Sequence, residues 1–341
     1  MQALCRFRKV MCFTAGMNSD IPISVLRTPS AAGGSREVLE DLLMPQTVVS
    51  PAFFYDALGS HLFNAITLLD EYRATRDERD IFALHQGDIA AQLPADCTFI
   101  DLGAGDCCKA ASLFASIRPK TYLAVDVSEA YLRDALKVVS RRPDAPVLSG
   151  LVVDFAKGLP VNCLEGLIPS ESPRVFFYSG SSIGNFHPQQ AAEFLRGLAR
   201  DHGATALVIG IDLVKPIEEL EAAYDDALGV TAAFNLNLLR VLNRSVETDF
   251  NPRDWSHKAL FNAKASRIEM HLVARHDVTV TWPGGRRVFH AGETLHTENS
   301  YKYTEADFAE LLRKAGYRVV AAYRSASAGF AEFVAVPDAS A

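Results

Sequence analysis

The stretch CTFIDLGAGD, residues 97–106, runs from a near-continuous apolar segment into a Gly-x-Gly turn, and its reading decides the fold. An apolar run without polar alternation is the mark of a strand covered on both faces, as in a parallel sheet. Glycines at 103 and 105 let the backbone turn sharply and come close to a ligand with no Cβ in the way. Four similar runs follow: TYLAVDVS (121–128), VLSGLVVDF (147–155), RVFFYSG (174–180) and ALVIGIDLV (206–214). Helical periodicity lies between several of them, notably over 129–141 and 188–201. Strands alternating with helices imply an α/β fold on a doubly wound, Rossmann-like parallel sheet.

Outward from this centre the pattern changes on both sides. Residues 1–35 read as an irregular tail ending in a turn-rich segment. Apolar spacings of three and four then predict helices over 37–43, 53–69 and 76–93. After Pro216 the strand rhythm stops, and 218–244 is helical with an interruption near Gly229. Antiparallel strands are expected over 267–274 and 276–282, with a turn at Gly284 and Gly285 before more extended chain. Thr304 is placed to cap a helix reaching about Ala315, and strands return over 317–325 and 330–336. The expected organisation is a tail (1–35), a second, α+β substrate-binding domain (36–76 plus 216–303) and a cofactor-binding domain (77–215 plus 304–341).

Composition narrows the class of function. The 341 residues are 49% hydrophobic and 22% charged, with a net charge of -7, so the chain lacks the basic footprint of a nucleic-acid partner. No apolar run is long enough to span a bilayer, and the N-terminus has no sustained apolar segment of a signal peptide. A cytoplasmic monomer without a membrane partner is the expectation. The six cysteines do not form a disulfide framework, and no Cys-x-x-Cys or His-x-x-x-His spacing calls for a metal.

The strand ends carry the chemistry. Asp126 closes the strand after the glycine turn, where a carboxylate can accept ribose hydroxyls. Asp154 and Phe155 end the third strand, one suited to an adenine amino group and the other to packing on the ring. Either NAD or S-adenosylmethionine would suit these positions. The dinucleotide fingerprint, however, needs a third glycine where this chain has Cys108. Asp101 and Asp106 flank the loop, repelling a pyrophosphate and suiting a cationic sulfonium. S-adenosylmethionine is therefore the expected cofactor, and Lys109 taken alone reads as an ordinary exposed lysine.

The segment FFYSGSSIGNF, residues 176–186, is a strand entering a loop. Gly180 and Gly184 permit close backbone approach there, and Asn185 offers both a donor and an acceptor. Tyr72 and Tyr224 each fit either a packing or a binding role. In HTENSYKYT, residues 296–304, an extended chain puts Glu298 and Ser300 on one side. A charged acceptor beside a hydroxyl suits the two nitrogens of an imidazole.

Together, YDALGSHLFNAIT, EYRATRDE, DLGAGD, AVDVSEAYL, SGSSIGNF, GIDLVKP, YDDALGVTAAFNLNLLRVLNR, RIEMHL and HTENSYKY resemble the ergothioneine-pathway L-histidine Nα-methyltransferase family. The resemblance runs in order over most of the chain from Tyr55 onward. It implies a class I methyltransferase fold and trimethylation of free L-histidine to hercynine. Gly103, Gly105, Lys109, Asp126, Asp154 and Phe155 would contact S-adenosylmethionine. Asn185 and Tyr224 would hold the substrate carboxylate and orient the amine, with Gly180 leaving room beside it. Tyr72, Glu298 and Ser300 would surround the imidazole, and Met270 would line the pocket. The alternative is a same-fold N-methyltransferase acting on another amino acid or small amine. Cys107 and Cys108 depart from the small hydroxyl residues expected after DLGAGD, and the segment before about Ser30 has no counterpart. No residue reads as a general base.

Overall fold

A computed structural model of the chain describes residues 21–26, 31–155 and 158–338. Its strands are β1 (Ile23–Val25), β2 (Thr47–Val48), β3 (Thr98–Leu102), β4 (Thr121–Asp126), β5 (Val147–Val152), β6 (Arg174–Tyr178) and β7 (Ala204–Asp212). These are followed by β8 (Trp255–Asn262), β9 (Arg267–Ala274), β10 (Val278–Trp282), β11 (Gly285–Phe289), β12 (Thr294–Tyr301), β13 (Tyr317–Arg324) and β14 (Phe330–Pro337). The helices are α1 (Ala31–Leu42), α2 (Ala57–Ile66), α3 (Ala74–Ala91), α4 (Cys108–Ser112) and α5 (Phe114–Ile117). Then come α6 (Glu129–Val139), α7 (Pro188–Arg200), α8 (Ile217–Ala222), α9 (Val230–Ser245) and α10 (Glu305–Lys314).

Eight strands form one sheet in the order β1-β5-β4-β3-β6-β7-β14-β13. From β1 through β7 neighbouring strands are parallel, whereas β14 runs antiparallel to β7 and β13 antiparallel to β14. The order departs from the dinucleotide arrangement at this far edge, where the last two strands form a reversed pair. Every residue of β3 is buried, as its apolar run predicts. One hydrophobic cluster packs on each face of the sheet, one joining Ile100, Leu123, Phe176 and Phe308, the other Phe99, Tyr122, Leu132 and Phe177.

A second sheet, β2-β12-β9-β8, is covered by α9, on which α2 packs in turn. Its cluster is made by Phe54, Phe234, Leu238, Trp255 and Leu272. Gly229, at φ +75°, separates α8 from α9 at the interruption expected from the sequence. Thr304 caps α10 by accepting from the Asp307 amide at 3.1 Å. Acids in the first turn and bases in the last of α10 match its dipole.

Three expectations need correction. Residues 1–20 and 27–30 of the expected tail lie outside the described residues, but 23–25 form an edge strand paired in parallel with β5, and α1 starts at Ala31. A three-residue strand has too little pattern to be read without its neighbour. The strands read over 267–274 and 276–282 do form, but in different sheets. β9 pairs with β8 and β12, while β10 turns through Gly284 onto β11. β8 was not anticipated because SHKA interrupts its apolar pattern, and its pairing with β9 compensates.

The two sheets meet where β12 runs past the loop after β6. A Cβ on Gly184 would stand 2.9 Å from the Tyr301 carbonyl oxygen and 3.3 Å from its nitrogen, so only glycine allows this approach. Gly184→Ala should therefore cost about 1–3 kcal/mol through overpacking. Thermal unfolding should show a midpoint lowered by several degrees, and an unchanged midpoint would mean that the two backbones can part freely.

Candidate functional site

Strand order reverses between β3 and β6, and ligands of open α/β sheets bind outside the carboxyl ends of strands at such a point. The loops after these two strands are DLGAGD and SGSSIGNF. In the first, Gly103 and Gly105 adopt φ +72° and +53°, and no atom lies within 4 Å of a Cβ built on Gly105. The Gly105 amide donates to Asp126 Oδ2 at 2.9 Å and the Ser128 amide to Oδ1 at 3.0 Å. Those bonds orient the Asp126 carboxylate while leaving a lone pair on each oxygen. Burial pushes its pKa upward against the backbone amides that hold it. Phe155 approaches to 3.8 Å from where a Cβ on Gly103 would stand, with its ring stacked on Phe194. Asp154 directly precedes it.

A cavity of about 470 Å³ opens on this loop, lined by Gly103, Gly105, Lys109 and Gly180 among others. Asp101 also lines it and accepts from the Tyr122 hydroxyl at 2.7 Å. Burial raises the Asp101 carboxyl to about 7, outweighing Tyr122 and Lys109. The Cys107–Cys108 departure has a structural reading. Cys107, at φ +60°, is buried against the sheet, and Asp106 Oδ1 accepts from the Cys108 amide at 3.0 Å where α4 begins.

Lys109 is not the free surface lysine it seems in isolation. It pairs with the fully buried Glu78 of α3, whose Oε1 accepts from the Gly180 amide at 2.7 Å. One carboxylate thus ties the start of α4, just beyond the glycine loop, to the loop after β6. Glu332 of β14 faces the same place, since a Cβ on Gly210 would meet Glu78 at 2.7 Å and Glu332 at 2.8 Å. Burial, and then Glu78, push the Glu332 carboxyl well above its ordinary range.

A second, narrower cavity of about 40 Å³ adjoins the first through Phe63, Tyr72, Gly180 and Ser182. Tyr72, Gly180, Asn185, Tyr224, Met270, Glu298 and Ser300 all line it, although they come from five separate segments. Glu298 and Met270 are cross-strand partners, and a register shift between His296 and Glu298 puts Glu298 and Ser300 on the cavity face. Burial raises the Glu298 carboxyl to about 7, with Lys302 acting against it. The Tyr224 hydroxyl donates to Ser300 Oγ at 2.8 Å. Burial, with Asp212 and Glu298 adding to it, keeps the Tyr224 phenol protonated.

Four residues of this machinery were missed in the sequence reading. Tyr55 lines the narrow cavity, and Glu78 sits in the EYRATRDE segment, which offered a signal. Lys302 bonds Tyr224, Ser300 and Asp212, while Asp212 also takes Lys215 at 2.6 Å. Burial pushes Asp212 upward, but the two lysines outweigh it and hold the carboxyl below its ordinary range. Away from the cavity, Glu269, His271 and His296 bring ligand-type atoms within 4.8 Å of one another. This cluster spans two strands, so no sequence spacing announces it. Glu269 there already accepts from Asn262, Arg267 and His271.

Comparison with known proteins adds an independent line. Residues 35–337 match the model of a family described as histidine-specific methyltransferase, SAM-dependent. The chain is 37% identical over 290 residues to the histidine N-alpha-methyltransferase of Mycolicibacterium smegmatis, covering 83% of this chain and 88% of that one. It is 35% identical over 292 residues to the protein of the same name from Mycobacterium tuberculosis, covering 83% and 89%. It is also 28% identical over 316 residues to ergothioneine biosynthesis protein 1 of Schizosaccharomyces pombe, covering 87% of this chain but 41% of that longer one.

The raised Glu298 carboxyl has a consequence for stability. Its neutral form is favoured by the fold, so its contribution is complete below about pH 4.5 and lost as pH rises through about 7. Glu298→Gln stays neutral throughout. Without ligands it should match the wild type near pH 4.5 and exceed it above pH 7 by at most about 3 kcal/mol, an upper bound because the carboxyl borders a cavity. Urea unfolding at both pH values checks this, and a variant less stable at pH 8 would show that the ionised carboxylate is stabilised.

Proposed function

The chain belongs to the family of histidine-specific, S-adenosylmethionine-dependent methyltransferases, and from that premise we propose that it trimethylates the α-amino nitrogen of free L-histidine. The product would be hercynine, and the reaction the first step of ergothioneine biosynthesis. One observation carries this reading: a narrow cavity with Glu298 and Ser300 together in its wall and Asn185 also lining it, joined through Gly180 to a cavity lined by the glycine loop.

The larger cavity suits the cofactor on its own chemistry. Gly103 and Gly105 line it and leave open space at the loop; Asp126 and Phe155 stand against that loop outside the cavity lining, one presenting oriented oxygens for hydroxyls and the other a ring edge beside Gly103. Asp154, Lys109 and the acid Asp101 complete the proposed contacts. When bound, S-adenosylmethionine supplies an electrophilic methyl group on a sulfonium. Asp101, whose carboxyl burial raises to about 7 against Tyr122 and Lys109, would ionise more readily with a cation placed beside it.

In the narrow cavity, Asn185 and Tyr224 take the substrate carboxylate, and Tyr72, Glu298 and Ser300 take the imidazole, with Met270 as an apolar wall. The nucleophile is a neutral amine, so the environment must disfavour its ammonium form. Desolvation does this, whereas a neighbouring carboxylate would oppose it. Glu298 is the one acid lining this cavity among the described residues, and the reading assigns it to the ring end. Rate then comes from alignment of the amine lone pair in a dry site, without a general base. Gly180, which has no side chain, leaves space for an amine that grows by successive methyl groups. Another amine with an apolar side chain would leave the Glu298 carboxylate buried and unpaired, which counts against the alternative.

Mass spectrometry of the protein incubated with S-adenosylmethionine and all free amino acids tests the whole reading. Histidine should gain three methyl groups; methylation of a different amino acid instead would discard the imidazole assignment. Glu298→Ala should raise the histidine KM by at least tenfold while leaving that of S-adenosylmethionine within about twofold, the loss of one charged hydrogen bond. Equal effects on both substrates would remove Glu298 from the histidine pocket. Asp126→Ala should abolish cofactor binding in calorimetry, and unchanged affinity would end its ribose role.

A further inference from the structure

Lys302 stands two residues beyond Ser300, and its side chain is fully buried. An ammonium has three protons and only donates. All three are spent here, on Asp212 Oδ2 at 2.8 Å, Tyr224 Oη at 3.0 Å and Ser300 Oγ at 2.8 Å. One lone pair on each hydroxyl oxygen is therefore occupied by Lys302. Tyr224 gives its own hydrogen to Ser300, which fills the second lone pair of Ser300 Oγ. What remains to Ser300 is its hydrogen, and the groove it faces holds Glu298, Tyr72 and Met270. If a bound carboxylate draws the Tyr224 hydrogen away, Lys302 still occupies one side of Ser300 and its charge still stands a single hydrogen bond behind it.

We propose that Lys302 is a specificity-determining positioning residue that makes the pocket take a neutral imidazole in one tautomer, its N–H at Glu298 and its bare nitrogen at Ser300. The inference rests on the imidazole lying between those two side chains, as in the function proposed above. Glu298 alone would favour a protonated, cationic ring. Lys302 opposes this from the other end, because a second cation there would face a buried ammonium. The remaining groups around the network do not cancel it. Asp212 is shared between Lys302 and Lys215, and Tyr55, Tyr72 and Tyr224 are all phenols kept protonated by burial. Asp77 and Lys215 lie 3.1 and 3.2 Å from where a Cβ on Gly329 would stand, and Asp77 has Arg73 beside it at 3.9 Å, so the charge of the whole group stays positive.

The test compares L-histidine with its 1,2,4-triazole analogue, β-(1,2,4-triazol-3-yl)-L-alanine, whose ring stays neutral across the range used. Calorimetry of the full chain with S-adenosylhomocysteine gives Kd for each at pH 7.5 and 5.5. Titration of Glu298 affects both ligands alike and cancels in their ratio. For the wild type, the histidine-to-triazole Kd ratio should rise about tenfold on acidification, following an ordinary imidazole pKa of about 6.5. In Lys302→Met the ratio should stay within about twofold or fall, because Glu298 then prefers the cation. A ratio that is flat in the wild type, or that rises as steeply in the variant, would overturn the proposal. The wild-type arm needs no substitution. In the variant Asp212 keeps Lys215, and unchanged S-adenosylhomocysteine affinity shows that the fold is intact. A wild type that binds the triazole and histidine at neither pH would sink the histidine reading as well, an outcome distinct from tight binding with a flat ratio.

Discussion

The seam between the two sheets depends on a buried ion pair. Asp212 ends β7 of the large sheet, and Lys302 follows β12 of the small one. Burying either charge alone would be costly, and losing one partner leaves the other uncompensated. Around the pair the backbones also join: Leu213 bridges Tyr303, and the Asp212 amide donates to Ser181 Oγ at 2.8 Å. The loop after β6, the end of β7 and the strand carrying Glu298 are thereby held in one frame. That frame fixes the narrow cavity relative to the glycine loop.

The same region shows how buried charge is managed by sharing. Glu78 serves Lys109 and the Gly180 amide at once, while burial and Glu78 itself push the Glu332 carboxyl beside it well above its ordinary range. Asp212 serves two lysines, and Glu298 is left without a cation in direct contact. A carboxylate raised to about 7 and lining a cavity is a group waiting for a donor. Stability is given up at Glu298, which lines the narrow cavity, whereas Glu78 and Asp212 are paired with lysines inside the protein.

Much of this was legible from sequence because its periodicities are local. The apolar runs ending in Gly103, Asp126 and Gly180 mark parallel strands, and their carboxyl ends are where an open sheet binds ligands. Thr304 as a cap and Gly229 as a break were readable for the same reason, since each acts within a few residues. The strand at 23–25 and the pairing partners of β9 and β10 were not, because they depend on edges supplied by distant chain. Lys109 taken alone reads as an ordinary exposed lysine, and Lys302 drew no reading at all. Nothing within a few residues of either one reveals Glu78 or Asp212, which lie far away in the chain.

By itself the amino-acid sequence determined the alternation of strands and helices, the glycine turn, and the residue types offered at each strand end. Those properties follow from backbone sterics and from the spacing of apolar side chains. Only the tertiary structure decided that Tyr72, Asn185, Tyr224, Met270, Glu298 and Ser300 share one cavity, and that an ammonium stands behind two of their hydroxyls. Hydrogen-bond polarity and pKa depend on distances across the fold, and those are set when the two sheets pack.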